Sequence, residues 1–92
     1  MIAGFKHRGL KRFFETGLTR GIQANQATRI RLILARLNAS IDARDMNLPG
    51  LHLHELSGRR KGTWSVRVSG NWRVTFKFEG PDVFDVDLED YH

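Results

Sequence analysis

The sequence predicts an α+β fold, with two N-terminal helices packed on a small twisted antiparallel sheet. Apolar residues recur at helical spacing through the first forty residues, and at period two in three runs after residue 63. Turn-forming clusters separate those runs. The strands therefore follow one another as a meander, with the helices over its apolar face.

Met1–Phe5 is short and apolar and suits an edge strand. In His7–Thr16, Leu10, Phe13 and Phe14 share one helical face, and Gly17 is the natural stop because it accepts a left-handed backbone. Asn25–Ser40 is the clearest helix. Ala27, Ile30, Leu34, Leu37 and Ile41 recur at alternating steps of three and four, with Arg29 and Arg36 on another face. Asn47-Leu-Pro-Gly50 breaks the chain. Leu51–Leu56 is a short strand candidate, with His52 and His54 on one face and Leu51 and Leu53 on the other. The three longer strands carry Trp64, Val66 and Val68, then Trp72, Val74, Phe76 and Phe78, then Phe84, Val86 and Leu88 towards the core. Ser69-Gly70-Asn71 and Gly80-Pro81-Asp82 are the turns between them.

With 92 residues and no repeats or linker, residues 1–92 read as one domain with a thin core. No cysteine is present, which removes disulfides, thiolate catalysis and Cys-ligated zinc. The longest stretch without a charged side chain is Met46–His54, far short of the roughly 20 apolar residues of a spanning helix. Lys6, Arg8, Lys11 and Arg12 leave no room for a signal-peptide apolar segment, so the expected location is cytoplasmic. The formal charge of +5 conceals an asymmetry. Residues 1–78 hold all 15 Lys and Arg against Glu15, Asp42, Asp45 and Glu55, while residues 79–92 carry six acids and no Lys or Arg. A cationic body suggests a polyanion, most often a nucleic acid; a solvated basic face without a partner is the plainer alternative.

Side-chain alternation also fixes a register. If the two tryptophan strands both face the core, Val68 pairs with Trp72 across the loop 69–71, and Arg67 falls opposite Arg73 on the polar face. Like charges placed so are destabilising unless compensated. Glu89 or Asp87 on the next strand could supply an ion pair, or the arginine pair could await a phosphate, whose oxygens match guanidinium forks. By the same alternation Tyr91 falls on this face near Arg73.

The histidines admit three readings. His52 and His54, with His92 and Asp90, have ligand types suited to a transition metal, though the spacing is a weak signal. They could equally be ordinary histidines. In the third reading His54 and His92 flank the arginines and perform acid–base chemistry on a phosphodiester. RNA brings its own nucleophile, the 2′-OH. Imidazole, with a reference pKa of about 6.5, serves as acid or base near neutrality. Arginines stabilise the developing charge, and Tyr91 could donate a hydrogen bond or stack on a base. The loop Ser57-Gly-Arg-Arg-Lys-Gly62 adds cations beside His54.

The run Leu53-His-Glu-Leu-Ser-Gly58, then Gly62-Thr-Trp-Ser-Val-Arg-Val68, Gly70-Asn-Trp-Arg-Val-Thr-Phe76 and Glu89-Asp-Tyr-His92 resembles the HigB toxins of the RelE/ParE superfamily. Phe5-Lys-His-Arg-Gly-Leu10 matches as well, so the resemblance spans essentially the whole chain. It implies a microbial RNase-like fold and a type II toxin, a metal-independent endoribonuclease that enters the ribosomal A site and cuts translated mRNA. It also implies a helix-turn-helix, HigA-like antitoxin that masks the toxin and binds operator DNA. Carried over residue by residue, His54 matches the active-site histidine, Asp90, Tyr91 and His92 the C-terminal catalytic cluster, Arg73 the arginine near the scissile phosphate, and Asn71 a contact to the mRNA. Many relatives carry lysine where this chain has Ser57; Arg59, Arg60 or Lys61 could replace it. Arg29, Arg36, Lys6, Lys11 and Arg12 are the expected grips on rRNA phosphates, with Arg67 beside the cut. Two other functions remain open on the same fold: a ParE-like gyrase poison, and a non-catalytic RNA- or ribosome-binding module.

Overall fold

The computed structural model describes residues 1–91; His92 lies outside the described residues. Helix α1 spans Arg8–Thr16 and α2 spans Ala27–Ala39, followed by strands β1 (His54–Glu55), β2 (Thr63–Ser69), β3 (Trp72–Glu79) and β4 (Asp82–Asp90). The strands form one antiparallel sheet in the order β1-β2-β3-β4. No helix among the described residues is long and apolar enough to cross a membrane.

The His7 imidazole caps α1 by accepting from the Leu10 amide, and Gly17 ends it at φ 79° with its amide on the Phe13 carbonyl. One short 3₁₀ turn, Ala24–Gln26, leads into α2, and Ser40 ends that helix in an extended conformation. Ile33 therefore joins Ile30, Leu34 and Leu37 in the core. Ile41, expected inside, lies beyond the end of the helix and is 68 % exposed. A second 3₁₀ turn, Ala43–Met46, is closed by a reciprocal capping box between Asp42 and Asp45 and buries Met46 completely.

Leu10 and Phe13 from α1 and the α2 stripe pack on Val66, Val68, Val74, Phe76, Val83, Val86 and Leu88. Met1–Phe5 forms two isolated parallel bridges beside β4, Ile2 to Val83 and Phe5 to Val86, rather than a full strand. Leu51–Leu56 contributes only two residues to the sheet, because His52 takes φ 50° and breaks the extended run.

Two registers differ from simple alternation. Arg67 does pair with Arg73, but Ser69 rather than Val68 lies opposite Trp72, with an irregularity between Arg67 and Ser69. The hairpin loop is thus Gly70-Asn71, with Gly70 at φ 54° in the first loop position, where tight hairpins favour glycine. The extra residue keeps Val68 in the core. In β4 the ladder slips between Thr75 and Lys77, and Asp85 takes φ 55°. Val83 and Val86 consequently fill the core, and Phe84, expected inside, pairs with Lys77 on the polar face.

Candidate active site

The polar face of the sheet is organised in rows. One row runs His54, Ser65, Thr75, Asp87; the next runs Arg67, Arg73, Glu89. It is not fully open, since Thr63, Ser65 and Thr75 are buried on it. The cover comes from the loop between β1 and β2. Its 3₁₀ turn, Gly58–Arg60, carries Arg60 across β2 and β3 to β4. There both terminal nitrogens of Arg60 donate to Glu89, at 2.8 and 2.6 Å, and the Thr75 hydroxyl donates to the same carboxylate. The Arg60 guanidinium, and secondarily Thr75, holds the Glu89 carboxyl below the usual glutamate range, against the opposing pull of partial burial. Reciprocally, Glu89 raises the Arg60 pKa.

That strap bears on the expected ion pair between Glu89 and Arg73. Glu89 does lie in register with Arg73, but its carboxylate is engaged by Arg60 and Thr75. Arg73 makes no ion pair among the described residues, and its Nε and Nη1 are buried without a hydrogen-bond partner. Four buried side-chain polar atoms lack a partner among the described residues, and three of them (Ser65 Oγ, Arg73 Nε and Arg73 Nη1) belong to neighbouring positions on this face. Polar atoms buried without partners, on a half-buried cation opposite a like charge, are costly in a folded chain.

His54 shares the face, because it pairs with Ser65, and it is exposed. Its Nδ1 lies 3.2 Å from the His52 carbonyl oxygen. A carbonyl can only accept, so Nδ1 carries the proton of the neutral ring and Nε2 carries the lone pair. The carbonyl belongs to the residue whose backbone is strained at φ 50°. From strand spacing and rise, the His54 and Arg73 Cα atoms are about 12 Å apart.

Tyr91 is 41 % exposed at the end of β4, with its amide on the Asn71 carbonyl at 2.7 Å. Its phenol lies close enough to contribute to the Arg60 pKa. Asn71 itself is exposed on the β2–β3 loop. Asp90 pairs with Trp72 and continues the Leu88 row, which places it on the helix side rather than on the arginine row. His92 falls outside the described residues, so its expected place beside His54 has no geometry. Among the described residues no group of three or more His, Asp or Glu could hold a metal ion.

The expected phosphate grips divide into two kinds. Arg29 donates to the Gly50 and Arg67 carbonyls and Arg36 to the Asp45 carbonyl, so both brace the fold on the helix side. Arg60 is engaged by Glu89. Arg67, Lys11 and Lys61 are exposed, Arg12 is half-buried, and Lys6 and Arg59 line a basic cavity on the polar face. Lys77 and Asp85, which sequence reasoning missed, line it too. The available signal was Lys77 at the same parity as Arg73 and Thr75 on β3.

The model of the HigB-like toxin family, described as RelE-like toxins of the type II toxin–antitoxin system HigB, matches residues 3–92. The chain belongs to this family. The toxin is also 41 % identical over 92 residues to a Proteus vulgaris protein named endoribonuclease HigB, with both chains covered in full. The two-helix, four-stranded α+β architecture is consistent with the RelE-like fold. Membership makes the toxin one half of a toxin–antitoxin pair. It also gives the unpartnered arginine a context in which an RNA phosphate is the natural missing anion.

Proposed function

We propose that this toxin is an endoribonuclease that cuts translated mRNA in the ribosomal A site, using polar-face residues and the substrate's own 2′-OH. Identity to a full-length relative named an endoribonuclease supports the activity. The observation that carries the site is the Arg73 guanidinium, whose Nε and Nη1 are buried without partners among the described residues, opposite Arg67 on the face that holds His54.

In the reaction, a base removes the 2′-OH proton and the 2′-oxygen attacks the adjacent phosphorus. The bond from phosphorus to the 5′-oxygen then breaks, and an acid protonates the leaving oxygen. The products are a 2′,3′-cyclic phosphate and a 5′-hydroxyl. The Nε2 lone pair of His54 suits the proton abstraction. Arg73, with Arg67 beside it, stabilises the charge on the phosphorane, and a site preorganised in this way needs no rearrangement as charge develops. Tyr91 and His92 supply the hydrogen bond and the proton at the leaving side, a role resting on the family resemblance. Asp90, on the other row, orients that terminal segment. Asn71, at the loop tip, contacts a base near the cut. The ribosome orders the mRNA against this face. A HigA-like helix-turn-helix antitoxin neutralises the toxin in the cytoplasm and carries any operator DNA binding.

Inducible expression in a bacterium, followed by mapping of transcript 5′ ends, tests this reading. Cuts confined to translated reading frames are expected, lost in His54→Ala and His92→Ala. Chromosomal breaks with intact messages would assign the toxin to gyrase inhibition instead.

A further inference from the structure

Beside the strap lies a cavity of about 220 Å³ lined by Lys6, Arg59, Arg60, Thr63, Thr75, Lys77 and Asp85. Four cations face one acid. Lys77 lies 3.9 Å from Asp85, and Arg60 is fixed by Glu89. Among the described residues Lys6 and Arg59 make no side-chain hydrogen bond or ion pair, so the cavity keeps a positive surplus. Thr63 and Thr75 are buried polar residues at its base. The Asp85 backbone, at φ 55°, shapes one wall, and the bidentate Arg60 pair holds another rigid. The space exceeds the roughly 30 Å³ share of one water several-fold, enough for a tetrahedral oxyanion with part of its hydration.

We infer that this cavity is a second phosphate subsite, in which Lys6, Arg59 and Lys77 hold a backbone phosphate of the RNA flanking the one that is cut. The inference rests on the nuclease reading above and adds a binding element to it. Arg73 and Lys77 are four residues apart on β3, about 13 Å at the usual rise, so the cavity lies along the sheet from the cleavage position and serves a phosphate further along the same strand. Lysine and arginine are the residues that hold phosphate, as a point charge and as a fork. The Arg60–Glu89 strap separates the two positions. It keeps Glu89 away from Arg73 and turns one Arg60 flank towards the cavity. One rigid ion pair thereby sets the spacing of two anion sites.

The full-length chain is titrated with inorganic phosphate at constant ionic strength, with chloride as the balance, and backbone amide resonances are followed. Saturable shifts at Thr63, Thr75 and Lys77 are expected, persisting in Arg73→Met. They weaken about tenfold in Lys6→Ala or Arg59→Ala, the lower end for loss of one charged hydrogen bond. Non-saturable, chloride-like shifts would overturn the subsite. Single-stranded oligoribonucleotides, each with one neutral methylphosphonate linkage at a successive position, then identify the source of the anion. One position whose binding penalty disappears in Lys6→Ala/Arg59→Ala supports the RNA assignment. Phosphate binding without such a position leaves a free-anion site and overturns it. Lys77→Gln serves as a second variant if the double variant loses its folded spectrum. Both readouts are of binding, so they stand whether or not the toxin cuts RNA.

Discussion

Arg73→Met should make this protein more stable while it abolishes cutting. The substitution keeps most of the unbranched apolar stem and removes the guanidinium, whose Nε and Nη1 are buried without partners. A buried unsatisfied polar group costs about 1–3 kcal/mol. Arg73 is only half-buried, so the lower end applies. Relief of the like-charge pairing with Arg67 adds roughly 0.2–1 kcal/mol. The expected gain is therefore about 1–2 kcal/mol, and each kcal/mol raises Tm by about 4–8 °C in a chain of this size. Urea and thermal unfolding of both proteins measure it, and cleavage of a translated message in a purified translation system measures the loss. Arg60→Met is the paired control. It lies on the same face, but its guanidinium is matched to Glu89, so its removal should destabilise by about 1 kcal/mol after allowance for the 42 % exposure of its side chain. Two arginine deletions on one face should thus shift stability in opposite directions. A fall of 1 kcal/mol or more in Arg73→Met would refute the reasoning, because Arg73 would then be a structural contact rather than a cation held ready for a ligand.

Three further outcomes follow from the same geometry. His54→Ala should lower cutting by about 10²–10⁴-fold, the usual worth of a positioned acid or base, with unchanged circular dichroism because His54 is exposed. Glu89 titrates below its ordinary range when folded, so its pair with Arg60 contributes fully above the usual carboxylate range. That contribution declines as pH falls through the depressed pKa, where the unfolded chain has already taken up the proton. Acid unfolding should therefore be shallower in Glu89→Gln than in the natural chain. Messages with a 2′-deoxynucleotide at the cut position should resist cleavage, and natural messages should yield 2′,3′-cyclic phosphate ends. A 3′-hydroxyl product would exclude attack by the substrate's own hydroxyl.

Period and parity read the sheet well where nothing interrupted the ladder. The Arg67–Arg73 pairing followed from facing Trp64, Val66 and Val68 to the core beside Trp72, Val74 and Phe76, although the Val68–Trp72 pair of that same register is replaced by Ser69–Trp72. At the first irregularity only the partner of Trp72 changed, while at the second the extra residue put Val83 inside and Phe84 outside and left Val86 and Leu88 in the core. Phe84 went outward because Asp85 occupies a left-handed conformation that a non-glycine residue gives no sign of adopting. Ile41 matched the helical period but lies past Ser40, whose hydroxyl turns back to the Arg36 carbonyl as the chain leaves the helix. The cover over the polar face was illegible for another reason. Arg60 and Glu89 are 29 positions apart, and only the folded loop shows that Arg60 rather than Arg73 takes the acid. The run Arg59-Arg60-Lys61 read as three equivalent cations, and the fold gives them different surroundings.

The last strand is the keystone of this architecture. It receives the bridges from Ile2 and Phe5, the ladder from β3 and the clasp from Arg60. During synthesis, at about 5–20 residues per second, these contacts close in order as β4 emerges, the Ile2–Val83 bridge before the Arg60–Glu89 clasp. The Arg60 clasp on Glu89 is therefore among the last of them to form, and the polar face is completed only with it.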